Sequence, residues 1–176
     1  MTLEISISAA ETGGDPLSIV ILTIHRPYVT STHTPVEREC IESWMKAFVS
    51  HVNELCSRYD RVVVCGDFND NMSRDRGTFD ALLTRGFVNA LAGTTEEYWP
   101  TQYPSTSQYK FDRLDYIFVS PALCRNVIRH SGRVLSEGAP SGDHVPVEVT
   151  FSFSNTATSA GPTQGLKRMR DDEKEH

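Results

Sequence analysis

The stretch that most constrains this chain is SIVILTI, Ser18 to Ile24, together with the apolar RVVVC at Arg61 to Cys65. The first is a nearly continuous β-branched run with no polar face. A strand built from it must be covered on both sides. That demands a layered molecule, in which a sheet is sandwiched by helices or by a second sheet.

Other segments supply the remaining layers. Leu3 to Ser8 alternates with period two and pairs with SIVILTI as a hairpin, through a turn at Glu11 to Pro16. Thr34-Pro35-Val36-Glu37 carries a capping box with proline at the first helical position. Val36, Cys40, Ile41, Trp44, Phe48, Val52 and Leu55 then recur at helical spacing, which predicts a long helix with one apolar face. A short helix is expected at Phe79 to Leu83, extended chain at Phe87 to Ala90, and a strand at Leu114 to Val119. Val145, Val147, Val149, Phe151 and Phe153 alternate with polar residues and predict a long final strand. From residue 154 the composition turns to Ser, Thr, Ala, Gly and charge, which predicts a domain over 1–153 and a disordered tail over 154–176.

The chain has 176 residues and a net charge of −6. Within the tail, Lys167, Arg168, Arg170 and Lys174 balance Asp171, Asp172, Glu173 and Glu175, so the body itself is acidic. That excludes a broad basic footprint for nucleic acid but not a basic rim on one cleft. No run reaches the roughly 18 apolar residues of a membrane span. The N-terminus lacks the basic and apolar regions of a secretory signal. The expectation is a soluble intracellular protein, cytoplasmic or nuclear. The four cysteines form no C-x-x-C pair. Cys40 and Cys56 sit about 24 Å apart on one helix. All four are expected as reduced, mostly buried thiols.

Ionisable residues gather at strand ends. Asp67 and Asn69 follow the second apolar strand in GDFNDN. In extended backbone, positions i and i+2 point to the same side, so a carboxylate and an amide oxygen would converge. Such hard oxygens suit Mg²⁺, Mn²⁺ or Ca²⁺. Alternatively Asp67 takes a proton from water, or the segment is an Asx-rich turn to which Asp70 and Asn71 belong. Asp115 lies in a strand, where a carboxylate needs a partner. Either His144 supplies it, which would fix the imidazole tautomer and favour a charged ring, or Arg113 does. His25 closes SIVILTI and suits either a cleft or a structural role. Arg74, Arg76 and Arg85 follow the Asp67 loop and either contact phosphates or face solvent. Tyr103 and Tyr109 either rim the site or pack in a loop.

GDFN after an apolar strand, RLDYIFVSP and SGDHVPVEVTF, in that order, resemble the endonuclease/exonuclease/phosphatase superfamily. ILTIHRP followed by a helix fits the segment before the G-D-x-N of that family. The resemblance spans roughly Leu3 to Phe153. It implies an α/β (α+β) fold, a two-sheet sandwich flanked by helices in four layers, with a site where strand ends of both sheets meet. By position, Asp67 would activate the attacking water, and Asn69 would hold phosphate and water. His144 would contact the scissile phosphate, oriented by Asp115. His25 would be an acid/base partner, and Asp143 would serve the metal or the leaving group. The metal set would be Asp67, Asn69 and Asp143. The family's S-D-H reads Gly142-Asp143-His144 here, with Ser141 one place earlier.

The family's early motifs, a strand Asn and a metal-binding Glu, lie upstream of the hairpin with which this chain opens. The resemblance therefore implies the C-terminal part of a domain, lacking N-terminal strands and completed by an upstream segment or a partner. The leading reading is a divalent-metal-dependent phosphoester hydrolase, a phosphodiesterase or nuclease using Mg²⁺ (or Mn²⁺ or Ca²⁺), with DNA, RNA, lipid and inositol phosphates all left open as substrates. The alternatives are an inactive fragment or interaction module that keeps the fold, and a retroelement endonuclease remnant.

Overall fold

The computed structural model describes residues 1–7, 17–28, 32–72, 77–94, 99–102, 112–135 and 144–153. The turn at 11–16, Arg74, Arg76, Tyr103, Tyr109, Asp143 and the 154–176 tail fall outside these residues.

The two apolar runs form the centre of a sheet, as their lack of a polar face requires. Strands β1 (Thr2–Ile7), β2 (Leu17–His25), β3 (Val62–Asp67), β4 (Val88–Asn89) and β5 (Asp115–Val119) assemble in the order β1-β2-β3-β5-β4. Only β2 and β3 are parallel. A parallel pair needs a crossover, and helix α1 (Pro35–Arg58) provides it. Thr34 caps α1 with the full capping box: its hydroxyl accepts from the Glu37 amide, and the Glu37 carboxylate accepts from the Thr34 amide. Helix α2 (Gly77–Leu83) follows β3, and the single turn α3 (Pro121–Cys124) follows β5. Strands β6 (Arg133–Val134) and β7 (Val147–Glu148) make a second, two-stranded sheet.

Alternation along the central strands builds two cores. Val20, Leu22, Val62, Val64, Tyr116 and Phe118 face one way and pack on Phe48, Val52 and Leu55 of α1 and Phe79 and Leu82 of α2. Phe68, Phe79, Tyr116 and Phe118 form an aromatic cluster with ring centroids 5.1–5.9 Å apart. Ile19, Val63, Ile117 and Val119 face the other way, toward Val134 and Val145 at the second sheet. Helices, five-stranded sheet and two-stranded sheet thus form successive layers, each interface sealed by residues that alternate along the same strands.

Several expectations need correction. The long final strand reduces to Val147–Glu148. Val145, Val147, Val149, Phe151 and Phe153 still join one core cluster, so the alternation reports which face is apolar rather than how far regular pairing extends. The apolar face of α1 covers the sheet only in its second half. Val36 and Cys40 are exposed, while Phe48, Val52 and Leu55 are buried. The four cysteines are free, but none is fully buried: Cys40 is exposed and the other three are half-buried. Among the described residues no helix is long and apolar enough to cross a membrane.

Candidate active site

Register brings the ionisable strand ends together. His25 is paired with Asp67 across β2 and β3, and Asp67 with Asp115 across β3 and β5. Three neighbouring strands therefore end on one row, His25–Asp67–Asp115. By alternation this row continues the face that carries Val63, Cys65 and Ile117, the face turned to the second sheet. The polar row forms the end of the inter-sheet core, where ladder pairing runs out.

Within the row, His25 Nε2 lies 3.5 Å from Asp67 Oδ2, and Asp115 Oδ2 lies 2.8 Å from His144 Nδ1. His25 is mostly exposed, whereas the two carboxylates are largely covered. Burial pushes the Asp67 carboxyl above its usual range. The Asn69 amide pulls the other way, the Asp115 carboxylate adds to the rise, and His144 and His25 offset part of it. Two like charges directly across a strand pair are destabilising, and the histidine on each flank moderates this. The Asp115–His144 alternative holds. Arg113 is buried with its guanidinium 5.1 Å from the Tyr116 ring centre.

His144 reaches Asp115 through a device that the sequence did not announce. Thr101 is fully buried, and its hydroxyl accepts from the amides of both Leu114 and Asp115 at 3.0 Å. Its carbonyl accepts from the Val145 amide at 2.8 Å. One threonine thereby ties the start of β5 to the segment that carries His144.

Asn69 does not converge on Asp67 by extended geometry. Its φ is 45°, in the left-handed region that Asn tolerates. Its backbone amide donates to Asp67 Oδ1 at 2.7 Å, and its side-chain amide donates to the Arg26 carbonyl at 2.8 Å. The segment is therefore an Asx turn, and the turn itself presents the site. Asp70 and Asn71 are more than turn residues. Arg26 is buried, and its Nη1 donates to Asp70 Oδ2 at 3.0 Å, with longer contacts to the Asn69 and Phe68 carbonyls. Asn71 donates to the Asp112 carboxylate. Arg26 was legible only as a cation next to His25. Its burial, and hence its need for Asp70, depends on the fold.

Gly66 explains the glycine in GDFN. Its φ is +129°, and a Cβ there would lie 2.1 Å from the Ile24 carbonyl oxygen. Only glycine lets β2 and β3 approach this closely one residue before the row. Arg85 does not belong to the site. It bonds the Asn53 side chain and the Ala81 carbonyl and lines a cleft at the opposite end of β3.

The oxygen donors here suit Mg²⁺ in kind. Asp67 offers Oδ2, and Asn69, with its nitrogen turned to Arg26, offers its amide oxygen. Among the described residues no group of three or more His, Cys, Asp or Glu could hold a metal ion. The set fits a Mg²⁺ that keeps water and phosphate oxygens in its shell, the usual habit of that ion. It does not make an all-protein cage.

A sandwich whose strand ends gather two carboxylates and two histidines at the sheet-sheet boundary defines a class of α/β proteins with a polar edge site. The endonuclease/exonuclease/phosphatase family profile matches residues 5–144, and the chain belongs to that family. No curated protein matches the sequence. Among solved structures, the 3′-5′ exonuclease NExo of Neisseria meningitidis is similar, with a TM-score of 0.64 at 20% identity over 86% of this chain and 70% of that one. The 3′ phosphatase NExo from Neisseria bound to a product DNA hairpin gives 0.62 at 20% identity, with the same coverage. The APE2 catalytic domain of Xenopus laevis gives 0.66 at 13% identity, over 86% of this chain and 54% of that one. At these identities the likeness establishes the fold.

Proposed function

We propose that this chain is a divalent-metal-dependent phosphoester hydrolase, a phosphodiesterase or nuclease that works by in-line attack of water. One observation carries the reading: the row His25–Asp67–Asp115 with His144 seated on Asp115. Family membership and the DNA product named for the Neisseria relative support it.

Asp67 Oδ2 takes the proton from the attacking water. Burial, by raising its proton affinity, makes it a better base near neutral pH. Asn69, its nitrogen held by Arg26, turns its amide oxygen to the water or the cation. Asp115 engages His144 Nδ1, so Nε2 is the nitrogen that meets the scissile phosphate and stabilises its developing charge. His25, the most exposed of the set, supplies the acid/base partner at the leaving group. Asp67 and Asn69 would hold Mg²⁺, with Mn²⁺ or Ca²⁺ as substitutes, and the bound cation would neutralise charge on the phosphate.

The test is cleavage of supercoiled plasmid and of bis-p-nitrophenyl phosphate with Mg²⁺ and with EDTA. The chain cleaves one or both only with Mg²⁺, and Asp67→Ala lowers the rate by about 100-fold or more. Unchanged cleavage by Asp67→Ala refutes the assignment. A folded parent chain that cleaves neither substrate favours a non-catalytic module.

A further inference from the structure

At the far end of the central strands, roughly 20 Å from Asp67 along β3, lies a cleft of about 500 Å³. Three arginines line it, from three separate parts of the chain: Arg61 before β3, Arg85 after α2 and Arg125 after α3. Tyr59 and Phe87 give it aromatic walls. Asp60 supplies the one carboxylate of the lining, and it forms no ion pair with any of the three. Among the described residues, the guanidiniums of Arg61 and Arg125 bond no protein group. Arg85 is anchored on Asn53 of α1 and on the Ala81 carbonyl. Of the other surface arginines, Arg58 is neutralised by Glu54 and Arg133 by Glu148, while Arg38 and Arg129 are exposed singly. Here like charges are gathered instead.

From this arrangement we infer that the cleft is a binding site for a small phosphorylated ligand of nucleotide size. Guanidiniums bind phosphate oxygens in forked pairs, and the volume falls within the range of small-molecule pockets. The aromatic walls suit a base or sugar beside the phosphate. A nucleic-acid strand running from the Asp67 row would need a basic path along an acidic body, so the discrete ligand is the better match for the charge pattern. The inference does not depend on the catalytic reading, because the two sites share no residue.

Isothermal titration of the full chain with 5′-AMP, inorganic phosphate and adenosine tests it. AMP binds saturably at one site, phosphate binds more weakly, and adenosine does not bind. Arg125→Gln and Arg61→Gln each weaken AMP by about tenfold or more, while His144→Ala leaves AMP affinity unchanged. Circular dichroism checks that each variant is folded. The exposed position of Arg125 keeps that arm clean even if Arg61→Gln perturbs β3. The inference is overturned if AMP shows no saturable binding to the parent chain. It is equally overturned if binding survives Arg125→Gln intact, or if it is lost in His144→Ala.

Discussion

The two ends of β3 answer the same problem in opposite ways. Ladder hydrogen bonding stops at both ends, and both gather ionisable side chains. At the Asp67 end the charges among the described residues are tied to other groups: His25 to Asp67, His144 to Asp115, and Arg26 to Asp70. At the Arg61 end three arginines face a cleft whose one carboxylate pairs with none of them. Paired groups hold a geometry, and an unpaired cluster of like charge awaits a counter-charge. The first end is thus preorganised, and the second is built to be completed from outside.

If so, substitutions at the Asp67 end should disturb the fold far more than substitutions at the Arg61 end. Gly66→Ala should have the largest effect. Its Cβ would be forced into the Ile24 carbonyl at a backbone angle that alanine resists, costing roughly 3 kcal/mol or more. A urea melt reads this as a large drop in midpoint. Arg26→Met removes the cation that pairs with the Asp70 carboxylate where both partners are nearly covered, while the Asn71 amide still bonds Asp70, a loss of about 3 kcal/mol. By contrast, Arg125→Gln removes a cation that none of the described residues holds and should stay within about 0.5 kcal/mol of the parent. Equal losses for Arg26→Met and Arg125→Gln would erase the contrast between the ends.

Tyr116 sharpens the comparison through pH. Its hydroxyl donates to the Arg113 carbonyl and accepts from the Met72 amide beneath the Asp67 loop. Burial pushes it up to about 12, although the Met72 amide and the Arg113 charge favour ionisation. The folded chain keeps this proton where the unfolded chain, with an ordinary tyrosine value of about 10, has lost it. Stability from this group is therefore intact below about pH 10 and falls as pH rises toward 12. Absorbance at 295 nm should show one of the six tyrosines ionising last, together with unfolding. Ionisation of all six near pH 10 would contradict the buried hydroxyl bridge.

Much of this was legible in the sequence because it is local. The β-branched runs announced strands covered on both faces, and Thr34 to Glu37 announced the start of α1. Asp115 was marked by being a carboxylate in a strand, and His144 by being one of two available partners, beside Arg113. What was not legible depends on register and burial. Nothing in HRP says that Arg26 is buried and must find Asp70. Thr101 sits in a polar stretch, and only the fold shows it joining β5 to His144. The left-handed Asn69 replaced an extended convergence because the chain turns immediately after β3. Arg85, near the Asp67 loop in sequence, is carried by α2 to the opposite end of the sheet.

The central claim is that the Asp115–His144 pair acts as a unit on a phosphoester. A double-mutant cycle on Mg²⁺-dependent phosphodiester cleavage tests it most directly, comparing Asp115→Asn, His144→Ala and the double variant with the parent. A shared role predicts that each single change lowers the rate by about 100-fold or more, and that the double variant falls no further than the worse single one. Rates equal to the parent, or two losses that multiply in the double variant, would contradict it.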